Sequence, residues 1–165
     1  MKKFFVFLIV GLLASSAAWA AQITVTATVA QKLDVAVDST TWPITINNDG
    51  AAVVEDHQGV LTVTSSKKNY TVTFVSTNGG QLSNGTEAIP YQVKVVCTDT
   101  AWTGVATNNL SDYTTLTTAG VTISFNKRTP VGGKTFDIGF KIPSYTEYYV
   151  DGTYTDTITI SIAHP

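Results

Sequence analysis

The sequence predicts an all-β protein built as a two-sheet sandwich, and three observations point there. Beyond the first twenty residues, apolar and polar side chains alternate with period two in segment after segment. The composition is rich in Thr and Val and nearly free of helical periodicity. Clusters of Asn, Asp, Ser and Gly separate the alternating segments at short, regular spacing.

Residues 1–20 stand apart from this pattern. Lys2 and Lys3 precede an almost unbroken apolar run from Phe4 to Leu13, and Ala18-Trp19-Ala20 fits a small-x-small cleavage site. This is the layout of a secretory signal, so export is expected, with a mature chain that begins at Ala21. The apolar run is ten residues long, against the roughly 20 needed to span a bilayer. No insertion into a membrane is expected elsewhere.

The first alternating segment is Ile23-Thr24-Val25-Thr26-Ala27-Thr28-Val29. Leu33, Val35 and Val37 continue it after a polar break. Residues 42–46 form a short extended piece closed by the turn signal Asn47-Asn48-Asp49-Gly50. Strands are then expected over 60–64, 70–76 and 89–97, with Tyr70, Val72 and Phe74 on one inward face and Ile89, Tyr91, Val93, Val95 and Cys97 on another. Residues 55–59 are read as a polar loop. Residues 102–116 are read as a long loop with a short strand near Tyr113. Strands over 121–125, 136–142 and 154–162 complete about eight in all, joined by a turn at 126–133 and a tyrosine-rich connection at 143–151. Such a series suits an immunoglobulin-like sandwich, with a closed barrel as its competitor. The 145 residues left after residue 20 suit one domain.

Charge and cysteine content narrow the functional classes. The chain carries a net charge of -2; without Lys2 and Lys3 it holds eight basic against twelve acidic residues. The charges are scattered along the sequence, with no basic patch for nucleic acid. Cys97 is the single cysteine, which leaves no intramolecular disulfide to form. Its strand phase makes it a small core residue. His57 reads as a solvated loop residue, and no His or Cys pair stands at metal-ligand spacing. Asn48-Asp49-Gly50 with Glu55 and Asp56 reads as a turn and not a calcium loop. No nucleophile elbow is present. The expectation is a protein that is not an enzyme and that takes no cofactor or metal. Trp42, Trp102 and the Tyr145, Tyr148 and Tyr149 cluster read as core and rim aromatics; a sugar-stacking platform is the alternative.

The two ends of the chain carry a resemblance. Residues 23–29 hold neither charge nor proline, the usual protection of an exposed strand edge. They resemble the start of pilin subunits assembled by the chaperone–usher route, nearest to the archaic and alternate branches and to spore-coat-U-like secreted domains. Gly152-Thr153-Tyr154-Thr155-Asp156, followed by Ile158, Ile160 and Ile162, is similar to the Gly-x-Tyr-x-Asp ending of that group, with Gly152 fourteenth from the end. Two features depart from it: no cysteine stands near Leu33 and Val35, and His164 occupies the place of the usual next-to-last aromatic.

The resemblance implies an incomplete sandwich, residues 32–165, preceded by a donor segment, residues 21–31. Ile23, Val25, Ala27 and Val29 would be the donor side chains. Gly152, Tyr154, Ile158, Ile160 and Ile162 would form the acceptor edge. The implied partners are copies of the chain or related subunits, a periplasmic chaperone and an outer-membrane usher. The implied role is that of a structural subunit of a cell-surface fimbria. A self-complete secreted sandwich that binds carbohydrate or protein as a monomer is the alternative.

Overall fold

The computed structural model describes residues 24–165, which form an all-β sandwich. Ten strands occur among them: β1 (Leu33–Val37), β2 (Val53–Ser65), β3 (Tyr70–Ser76), β4 (Gln81–Ser83), β5 (Ala88–Pro90), β6 (Gln92–Cys97), β7 (Val105–Asn108), β8 (Val121–Phe125), β9 (Lys134–Ile142) and β10 (Ile158–Ala163). One four-stranded sheet has the order β1-β2-β9-β6 and the other β10-β3-β8-β7; β4 and β5 form a small third sheet. Every pairing is antiparallel.

Alternation places the core. The inward residues of β2, β3, β6, β8 and β9 meet between the sheets: Leu61, Val63, Tyr70, Val72, Phe74, Val93, Val95, Ile123, Phe125, Phe136, Ile138 and Phe140 are all buried. Tyr70 stacks on Phe125 with ring centroids 4.7 Å apart, and Phe125 meets Phe136 edge-on. Trp102 packs against both phenylalanines, the core role expected of it. Cys97 is half-buried beside this core and free, its Sγ directed at the carbonyl of Asp99.

Several sequence expectations need correction. The expected loop at 55–59 is an irregularity inside β2: pairing to β9 shifts between Glu55 and Gly59, so a single strand passes through it. Polar composition there marks a bulge, which re-aims a strand without ending it. Residues 89–97 are two strands and not one. Ile89 pairs with Leu82 in the small sheet, whereas Val93 pairs with Phe140 in a large one, and Tyr91 sits at the crossing. The short strand of the 102–116 region is Val105–Asn108; near Tyr113 only an isolated bridge, Thr114 to Val93, is formed. The last strand starts at Ile158, four residues later than expected, although Thr155 bridges to Ser83.

The register orients the two sheets on one axis. Leu33 of β1 lies opposite Ser65 at the end of β2, and Tyr70 opens β3 directly afterwards. Ala163 at the end of β10 lies opposite Thr71. One end of the sandwich therefore holds the start of β1, the 66–69 turn, the 126–133 loop and the end of β10. Loops 47–52 and 143–157 and the β4–β5 hairpin lie at the other.

Candidate functional site: an open apolar groove between two sheet edges

β1 and β10 are edge strands of different sheets on the same side of the sandwich. Between them runs a groove of about 790 Å³, far beyond the voids of a close-packed interior. Val35, Val37, Trp42, Ile44 and Ile46 form one wall, and Ile158 and Ile160 form the other. Leu82, Ile89, Tyr91 and Phe140 make the floor.

The first wall continues beyond β1 in extended form. Residues 41–47 alternate between exposed and half-buried, with Trp42, Ile44 and Ile46 turned inward. Among the described residues their backbone makes no backbone hydrogen bond to either sheet. Backbone groups left unpaired beside an apolar trough are an open offer to another strand. The indole Nε1 of Trp42 is likewise buried without a partner, and its ring lies against Gly59, where an added Cβ would come within 3.2 Å of that nitrogen.

The second wall is fixed at its base by a carboxylate. Asp156 Oδ2 accepts hydrogen bonds from the Tyr91 hydroxyl at 2.6 Å and the Ser76 hydroxyl at 2.5 Å, and its Oδ1 accepts from the backbone N–H of Asn78 and Thr157. Burial, with the Asp156 hydrogen bond adding to it, pushes the Tyr91 hydroxyl far above its ordinary range, so it is a donor at any physiological pH. The floor of the groove and the root of β10 are thereby held at one point.

The acceptor residues expected from the sequence fall as follows. Gly152, Tyr154, Ile158 and Ile160 line the groove; Ile162 is half-buried beyond its end and packs on the core. Gly152 has φ of 155°. The Tyr154 hydroxyl donates to the Val150 carbonyl at 2.9 Å and lies 3.1 Å from the Glu87 carboxylate, at the groove's far end. Of the donor residues, Ile23 lies outside the described residues. Val25, Ala27 and Val29 belong to an arm, residues 24–31, that pairs with no strand among the described residues; Val25 is 87% exposed and Val29 88%.

Sequence reasoning missed most of the floor and the first wall. The period-two pattern of Trp42, Ile44 and Ile46 was the available signal. Leu82, Ile89, Tyr91 and Phe140 are indistinguishable by pattern from other core residues.

Elsewhere, Lys94 pairs with Asp56 at 2.6 Å and Tyr113 donates to the same carboxylate at 2.9 Å, on the outer face of β2, β9 and β6. The Lys94 hydrogen bond leads in holding Asp56 below the usual carboxylate range. His57 is exposed and meets Asp137 at 3.1 Å. Tyr145 stacks obliquely on Tyr149 while Tyr148 points to solvent. Among the described residues, no three His, Cys, Asp or Glu side chains are grouped to hold a metal ion, and no helix is long and apolar enough to cross a membrane.

No protein-family model matches the chain, and no curated protein matches it.

Proposed function

We propose that this chain is a structural subunit of an extracellular fibre, polymerising when the arm of one copy enters the groove of the next. The observation that carries this reading is a complementarity within one molecule. Among the described residues, an uncharged, alternating arm is exposed and pairs with no strand, and no strand lies in the apolar trough between the two sheet edges. Ile23, Val25, Ala27 and Val29 recur every second residue, a spacing of about 6.6 Å. Ile158 and Ile160, or Trp42, Ile44 and Ile46, have the same repeat. An inserted strand would hydrogen-bond along the edges while its alternate side chains fill the trough, the mode known as strand addition.

The root of the arm favours insertion into another molecule. The Lys32 N–H donates to Ser66 Oγ at 2.9 Å, and the Lys32 carbonyl accepts from the Ser66 N–H at 2.8 Å. The β1 ladder thus holds the chain straight up to Lys32. To enter its own groove the arm would have to reverse at Ala30-Gln31, which contains no turn former. Insertion into a second copy needs no reversal, and a head-to-tail contact of this kind repeats without closing. Before assembly the open groove would need a temporary strand from an export chaperone in the periplasm, and an outer-membrane usher would exchange it for the arm at the cell surface.

The test is to purify the chain without residues 21–30, add a peptide of residues 21–31, and follow thermal unfolding. A large rise in Tm that does not reverse on dilution is expected. A truncated chain that is already stable and ignores the peptide would sink this reading and turn attention to the Tyr145, Tyr148 and Tyr149 surface as a glycan site.

A further inference from the structure

In turn 66–69 and loop 126–133, which flank the arm's root, every charged side chain is positive, and in the loops at the opposite end every charged side chain is negative. At the arm end, turn 66–69 holds Lys67 and Lys68, and loop 126–133 holds Lys127 and Arg128; neither contains an acidic residue. None of the four has a carboxylate partner among the described residues. The remaining acids nearby, Asp34 and Asp99, are already taken by Lys32 and Lys134. At the opposite end, Asp49, Glu87, Glu147 and Asp151 stand in loops 47–52, 84–87 and 143–157, which contain no Lys or Arg.

Each end also shows apolar surface. Val131 of the arm-end loop is fully exposed at 103%, and Tyr148 and Val150 of the opposite loop are 82% and 53% exposed. Exposed side chains of this size within charged loops are the composition of a contact centre with a polar rim.

We propose that the two ends are the halves of one interface, and that their partner is a second copy of this chain, stacked head to tail. The inference rests on the arm-and-groove reading, which sets how near the ends must come. Val29 is three residues from Lys32, a reach of at most about 10 Å. With the arm antiparallel to β10, its root leaves the groove at the mouth formed by Tyr149, Val150 and Asp151. Lys67 and Lys68 of one copy then face Asp151 and Glu147 of the next. With the arm parallel to β10, the root would leave at the other mouth and set lysines against lysines. A two-fold pairing through either end meets the same repulsion. The charge polarity thus selects one direction of insertion and steers each copy toward the correct end of its partner.

The experiment compares the full mature chain with Lys67→Glu/Lys68→Glu and with Glu147→Lys/Asp151→Lys, separately, mixed and combined in one chain. Circular dichroism checks that each is folded. Assembly is followed by boiling-sensitive ladders on gels, and weak association by sedimentation velocity, at salt from low to high. In the wild type, both ladder formation and association are expected to slow steeply with salt. Each single-ended reversal is expected to slow assembly about tenfold at low salt, and the combined chain and the mixture are expected to recover. If ladders form but neither reversal nor salt changes their rate, the end-to-end contact is wrong and strand insertion stands. If no ladder forms yet salt-sensitive association follows the charge swaps, strand insertion is wrong and the contact stands. Absence of both overturns both.

Discussion

The hydroxyl of Tyr91 and the carboxylate of Asp156 are joined at 2.6 Å across 65 residues of sequence. Tyr91 lies where the chain crosses from the small sheet to a large one, and Asp156 lies two residues before β10. This bond ties the floor of the groove to its outer wall. Asp156→Ala would strip partners from two buried hydroxyls, those of Tyr91 and Ser76. Hydrogen bonds to a charged group contribute about 1.5–3 kcal/mol each. A loss of about 3 kcal/mol in denaturant unfolding is expected, with a smaller loss of about 1–2 kcal/mol for Tyr91→Phe. A double-mutant cycle should give strong coupling; simple additivity would mean that the bond fixes nothing.

The arm separates folding from assembly. Val25 and Val29 touch almost nothing in the isolated chain, so Val25→Asp/Val29→Asp should change its stability by no more than about 0.5 kcal/mol. The same pair is expected to abolish ladder formation, because two carboxylates would enter an apolar trough. A variant that still polymerises at the normal rate would exclude the arm as donor.

Burial raises the Tyr70 hydroxyl to about 12, and it has no hydrogen-bond partner among the described residues. Its folded value lies above the unfolded one, near 10. Its contribution to stability is therefore complete below about pH 10 and declines as pH rises toward about 12. Over that window the loss is at most about 2.7 kcal/mol, since each unit is worth about 1.4 kcal/mol. Tyr70→Phe should leave Tm at pH 7 unchanged or higher and should flatten the alkaline decline. Tyr91, raised further, keeps a residue of it.

Gly80 is expected to tolerate no side chain. Its φ is +78°, and a Cβ would fall 2.6 Å from Thr115 Cγ2 and 2.8 Å from the Leu116 carbonyl. Its N–H reaches Ser76 Oγ and its carbonyl takes the N–H of Tyr91. Gly80→Ala should lower stability by about 2 kcal/mol or more, from strain and clash together. Gly85→Ala, equally left-handed but open, isolates the strain alone.

Much of the fold was legible because period-two patterning reports which face a side chain takes. Tyr70–Ser76 has the expected bounds, and its alternate residues are buried as the pattern requires. The pattern does not report which strand lies alongside. At Tyr91 the alternation passes unbroken from one sheet to another, so two strands looked like one. At Glu55–Gly59 polar residues suggested a loop, yet pairing with β9 resumes on either side of a register shift there. The same blindness governs the site. Val25 and Val63 follow the same rhythm, but one is 87% exposed and the other fully buried. Only topology, which among the described residues leaves β1 and β10 without outer neighbours, separates an arm from a core strand.

The clamp at Lys32 decides how the molecule would carry tension. A pull on the arm passes straight into β1, whose five registered pairs with β2 lie side by side along the line of force. Ladder bonds run perpendicular to their strands, so such a load shears them together and does not unzip them one at a time. The same pull, applied at right angles, would meet a single pair at once. A subunit joined through this arm would be strong along the axis of the arm and weak across it.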